Sequence, residues 1–159
     1  MLRINIAGLA PGSHRLEMHP EASALDLEPD VFRDITVSFW LDVHPRRILV
    51  RLQATATATL ECDRTLVAFD QPIEGTYAVL FAPPEMVTDM EEEHEDVRPF
   101  TPADQELDLT DAVRDTLMLA IPVRKVAPGA EDVDLPLRFG DTGEIDPRWE
   151  ALRRLQSGT

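Results

Sequence analysis

The stretch ILVRLQATATATLEC, Ile48 to Cys62, decides the fold. Its even positions, Ile48, Val50, Leu52, Ala54, Ala56, Ala58, Leu60 and Cys62, are apolar, and from Arg51 onward its odd positions, Arg51, Gln53, Thr55, Thr57, Thr59 and Glu61, are polar. Side chains on a strand alternate between two faces, whereas a helix repeats every 3.6 residues, so this pattern predicts a half-buried β-strand. The threonines suit a pleated, wet face. The three alanines opposite leave room for a helix or second layer to approach closely. At about 3.3 Å per residue the strand would span roughly 50 Å, well beyond the usual length, so a bend or bulge is expected within it.

Upstream, Val37, Phe39, Leu41 and Val43 alternate with Thr36, Ser38 and Asp42, and predict a second strand on which Trp40 is the exception on the wet face. The link His44-Pro45-Arg46-Arg47 is short enough to fold it back antiparallel against the first. Its basic tip makes Arg46, Arg47 and Arg51 candidate phosphate contacts. Nearer the N-terminus, Leu2, Ile4 and Ile6, then His14, Leu16 and Met18, read as an opening strand pair around the turn Gly8 to Ser13. Residues 19–31 read as a connection with one turn of helix or a short strand.

Downstream, the odd-numbered apolar residues from Val67 to Phe81 are interrupted by Asp70, Pro72 and Gly75, which predicts two short strands joined by a kink. From about 83 to 104 the chain is rich in proline and acid, including Glu91, Glu92, Glu93 and Glu95, and reads as a mobile loop. Leu109, Val113, Leu117 and Ile121 recur every fourth residue, predicting a helix over 107–122 that Asp108 or Thr110 caps and Pro122 ends. Its expected seat is the alanine strip. Residues 123–143 read as loop, with Leu135 and Leu137 as edge contacts. Asp146 and Pro147 then open a short C-terminal helix carrying Trp149, Leu152 and Leu155. The expected architecture is one α+β domain over 1–159, a mainly antiparallel sheet with a covering helix.

With 159 residues the chain is long enough for an independent core. No apolar run approaches the length of a membrane span and no secretory leader is evident, so a cytoplasmic protein without membrane contact is expected. One cysteine permits neither an internal disulfide nor a multi-cysteine zinc site, and His14, His19, His44 and His94 lack ligand spacing. No phosphate loop, dinucleotide fingerprint or serine elbow occurs. The residues therefore suggest neither an enzyme nor a cofactor, and no small-molecule substrate. The net charge is −15, distributed as −4 over 1–84, −6 over 85–99 and −5 over 100–159. An acidic chain repels phosphate unless it carries a local basic patch. With a single lysine against fourteen arginines, the acidity also fits solubility in a salt-loving source.

Cys62-Asp63-Arg64-Thr65-Leu66 resembles the Cys-x-Arg-Cys-Leu signature of the YceD family, named for large ribosomal RNA subunit accumulation. Further resemblances follow in the family's order: Leu107-Asp108-Leu109, then Leu117 to Pro122, then Ile145-Asp146-Pro147-Arg148 with Leu152 and Leu155. The set runs from about Phe32 to Leu155. Where many members carry a second cysteine this chain has Thr65, and it lacks the cysteines that they carry after the Leu-Pro. A cysteine-based metal site therefore cannot be common to all. The resemblance implies a non-enzymatic role in making the large ribosomal subunit, with ribosomal RNA or a ribosomal protein as partner. Two mechanisms follow: RNA binding through Arg46, Arg47, Arg51, Arg148, Arg153 and Arg154, or an acidic chaperone holding a basic ribosomal protein through Glu91, Glu92, Glu93 and Glu95. Net charge favours the second. An acidic interaction module or chaperone unrelated to the ribosome is the alternative.

Overall fold

In a computed structural model, which describes residues 1–90 and 96–132, the Ile48–Cys62 pattern becomes the middle strand of a five-stranded sheet. The chain runs β1 (Arg3–Asn5), β2 (Gly12–Met18), a 3₁₀ turn (Ala22–Leu25), β3 (Phe32–His44), β4 (Arg47–Glu61), β5 (Ala68–Ala82), α1 (Pro84–Met90), β6 (Val97–Pro99), β7 (Glu106–Asp108) and α2 (Thr110–Leu119). The large sheet has the order β2-β3-β4-β5-β6, and β1 and β7 form a separate pair. Every pairing is antiparallel except β5 with β6. The architecture is α+β.

The even positions of β4 are buried, with Val50, Ala54 and Ala58 inaccessible to solvent, while the odd positions stay half or fully exposed. The expected bulge is not in β4. Its register with β5 runs unbroken from Ile48 opposite Phe81 to Glu61 opposite Ala68. The irregularity lies in β3, between Arg33 and Thr36. There β2 has already ended, at Met18 opposite Val37, so an extra residue disturbs one ladder instead of two. Asp34 takes the left-handed conformation (φ 54°), which aspartate tolerates better than bulky residues.

Helix α2 lies on the alanine strip, as its stripe predicts. Its Ala112, Val113 and Leu117 share one apolar core with Ala54, Ala56 and Ala58. Contact is closest at Gly75 of β5, opposite Ala54. A Cβ there would stand 2.7 Å from Thr116 Cγ2 and 2.9 Å from the Thr116 carbonyl oxygen. Buried Thr116 donates its hydroxyl to Ala112 O at 2.6 Å, satisfying it within the helix.

Several boundaries differ from the sequence expectation. The helix spans 110–119 rather than 107–122, because Leu107 belongs to β7, where it pairs with Ile4. Likewise β1 does not pair with β2. Leu2 and Ile4 are buried beside Leu107 and Leu109, Leu2 N–H donates to Thr110 Oγ1 at 2.7 Å, and Leu109 N–H donates to Leu2 O at 3.0 Å. Glycines 8 and 12, both at positive φ, let the chain turn away between the two strands. The two short strands expected between 67 and 81 are one continuous β5. Pro72 is tolerated because β6 pairs only with Leu80–Ala82, so beside Pro72 β5 has a strand on one side only. Within 83–104, expected to be unstructured, α1 and β6 form, and Leu80 pairs with Val97. Residues 91–95, and the expected features at Leu135, Leu137 and the 145–155 helix, lie outside the described residues.

Gly75→Ala should destabilise the fold by about 1 to 3 kcal/mol, because a methyl group there overpacks the helix backbone and not merely a mobile side chain. Thr57→Val, on the opposite face of β4, should change stability by less than about 0.5 kcal/mol. Equal shifts in denaturant melts would contradict this packing.

Candidate functional site

Two places gather residues singled out in the sequence. The first is the tip joining β4 to β5. Cys62 N–H donates to Val67 O at 3.0 Å and Leu66 N–H to Cys62 O at 2.9 Å, closing a tight turn in which Leu66 takes the left-handed conformation (φ 58°). A leucine there is strained and must be held by its surroundings. The segment after Pro122 supplies the hold. Asp63 N–H donates to Lys125 O and Lys125 N–H to Asp63 Oδ2, both at 2.7 Å. Ala127 N–H donates to Cys62 Sγ at 3.3 Å. Arg64 donates to the carbonyl oxygens of Ala130 and Glu131.

Cys62 is the buried small residue that its strand position predicts, but its sulfur is also an acceptor. The Ala127 N–H and the Thr65 hydroxyl, helped by the backbone amides of Arg64 and Thr65, outweigh desolvation and lower the thiol pKa from 9.0 to about 7. The tie thus joins two chain segments by hydrogen bonds. Among the described residues no group of three or more His, Cys, Asp or Glu is arranged to hold a metal.

Of the other motif residues, Asp108 starts α2. Its Oδ1 accepts from Thr110 N–H at 3.0 Å and from the Thr110 hydroxyl at 2.6 Å. Burial raises its pKa, but these bonds, with the charges of Arg3 and the N-terminus, bring it below the usual carboxylate range. Pro122 follows the helix end. Asp146, Pro147 and Arg148 lie outside the described residues, as do Arg153 and Arg154.

The second place is the outer face of the sheet. Register aligns Arg15 of β2, Trp40 of β3, Arg51 of β4 and Ala78 of β5 in one row, and Arg47 shares the outward parity of Arg51. The Arg15 guanidinium lies over the Trp40 ring, 5.2 Å from its centroid. A depression of about 820 Å³ is lined by Trp40, Arg51, Gln53 and Tyr77 among others, and a smaller one of about 230 Å³ by Arg15, Trp40 and Arg51.

Among the described residues, five of the other arginines are engaged by acids. Arg3 meets Glu106, Arg98 meets Asp96 and Arg114 meets Asp111 and Asp115. Arg33 meets Asp70, whose pKa is lowered first by the Thr59 hydroxyl and then by Arg33. Arg46, grouped in the sequence with Arg47 and Arg51, pairs with Glu85 at 3.0 Å. By contrast, Arg15, Arg47 and Arg51, like Arg124 after the helix, have no carboxylate in ion-pair contact among the described residues. Nearby Asp42 is 3.3 Å from His44, and Glu17 is 3.4 Å from His19. Sequence reasoning left Arg15 and Trp40 out of this site, although a tryptophan on a wet strand face was the visible signal. Glu91, Glu92, Glu93 and Glu95 lie outside the described residues.

A family model described as "Large ribosomal RNA subunit accumulation protein YceD" matches residues 50–156. It covers the hairpin tip, the segment tied to it and Arg51. No curated protein and no solved structure matches the chain.

A Cys62 proton held by the unfolded chain is released on folding between about pH 7 and 9, so stability should rise with pH across that window. Cys62→Ala should flatten this rise in denaturant melts, and an unchanged slope would show that Cys62 does not titrate there. With one cysteine in the chain, elemental analysis should find no stoichiometric zinc, and chelator should leave the Tm unchanged.

Proposed function

Because the chain belongs to the YceD family, we propose that it supports accumulation of large-subunit ribosomal RNA in the cytoplasm by binding that RNA, and not by catalysis. The observation that carries the reading is the outer sheet face, where Arg15, Arg47 and Arg51 stand without carboxylate partners among the described residues, in a protein of net charge −15. A charge count alone favours a basic protein as partner. Placement argues otherwise, since acids engage Arg3, Arg33, Arg46, Arg98 and Arg114 while Arg15, Arg47 and Arg51 share one sheet face, a local basic patch of the kind an acidic protein needs for RNA. Glu85, at the start of the acidic stretch, already faces Arg46. No helix among the described residues is long and apolar enough to cross a membrane.

Fluorescence anisotropy with fragments of large-subunit ribosomal RNA tests this. Arg47→Gln with Arg51→Gln should weaken binding at least about tenfold and reduce the slope of log affinity against log salt by about 2, one per lost phosphate contact. Changing Glu91, Glu92, Glu93 and Glu95 to Gln should leave RNA binding equal or tighter. If the arginine changes are silent and the glutamine changes abolish capture of a basic ribosomal protein, the chaperone reading replaces this one.

A further inference from the structure

We propose that the outer-face depression takes unpaired RNA, with one base stacked on Trp40 and Arg47 and Arg51 holding separate phosphates. The inference rests on the RNA reading above and narrows it to single strands. Trp40 is 36% exposed at the centre of the face, although most large apolar side chains of β3 and β4 point into the core. Arg15 packs over the indole, and the π-face of a nucleobase suits the indole surface that remains in water. In a duplex those faces are stacked on one another and hidden, so an aromatic ring on a sheet surface selects unpaired nucleotides.

The surroundings fit that ligand. Arg15 covers part of the indole and borders the smaller depression, but it does not line the larger one, which therefore offers Trp40 surface that Arg15 leaves open. Trp40 and Arg51 line both depressions and join them into a track across the strands. Arg47 and Arg51 stand four residues apart on one strand, about 13 Å at 3.3 Å per residue, so Arg51 lines the depressions and Arg47 lies beyond them along the same face. Thr76, opposite Gln53 in the larger depression, presents a neutral donor and acceptor to a base edge, while the Gln53 amide donates to Glu74 and Asp96, paired with Arg98, closes the far side. Asp42 and Glu17 lie on the registers either side of the row, with Asp42 next to His44 and Glu17 next to His19.

The test compares a single-stranded RNA oligonucleotide with its perfect duplex and with single-stranded DNA of the same sequence, using the full chain. Single strands should bind at least about tenfold tighter than the duplex, with RNA at least equal to DNA. Trp40→Ala should lose roughly 5- to 150-fold in affinity, the range measured for one stacked base. Trp40→Phe should retain most of it, which a purely structural role for the indole does not predict. In a Trp149→Phe background, single-stranded RNA should quench the Trp40 fluorescence. If duplex and single strand bind equally and Trp40→Ala is silent while the Arg47 and Arg51 changes still weaken both, the RNA reading stands and the stacking inference is overturned. If no RNA binds, or if a basic ribosomal protein is captured and Trp40→Ala releases it, both fall.

Discussion

The close approach of α2 to the sheet at Gly75 is the contact on which the molecule depends. A helix lies near a strand only where side chains between them are small, and here β4 supplies Ala54, Ala56 and Ala58 while β5 supplies a glycine. Thr116 fits against that glycine, its hydroxyl turned back into its own helix. Once α2 is seated, its start and end are constrained. At the start, Leu109 reaches the core and Thr110 meets the backbone of Leu2, which brings β1 beside β7. At the end, Pro122 stops further helix, and the segment beyond it reaches the β4–β5 tip, where Asp63 and Cys62 receive it.

The layers were legible in the sequence because they rest on strong periodicities. Fifteen alternating residues admit one reading, and Val113 and Leu117 point to the alanine strip. What failed was pairing and boundary. Leu107 and Leu109 suit a helix stripe and a strand alternation equally, and only the presence of Ile4 across from Leu107 makes the first a strand residue. Pro72 and Gly75 look like breaks in isolation. In the fold each is accommodated by something distant in sequence, a missing neighbour strand for the proline and an incoming helix for the glycine. The acidic stretch misled for a similar reason, since α1 and β6 have little hydrophobic pattern of their own and β6 gains its place by hydrogen bonding to β5.

The candidate surface was half legible. Arg47 and Arg51 follow from strand parity, but separating them from Arg46 requires Glu85, 39 residues away. Arg15 joins them only through a register that spans three strands. This is why charge counted along the chain and charge placed on the fold point to different partners: acids dominate the sum, yet some of them pair locally with particular arginines and leave others open. The Cys-Asp-Arg turn shows the same dependence on distant residues. In the sequence it is a family signature with a small apolar cysteine, and in the structure its side chains anchor another segment.

The pairing of β1 with β7 also sets a timetable. Ile4 meets Leu107, so a strand made near the start of synthesis has no partner until more than a hundred further residues have been added. At about 5 to 20 residues per second that wait is roughly 5 to 20 s. The β2–β3–β4–β5 meander, whose neighbours are consecutive in sequence, can form meanwhile at little loop-closure cost. Throughout that interval Leu2 and Ile4 remain uncovered, so residues that emerge before the meander find their partner only after it.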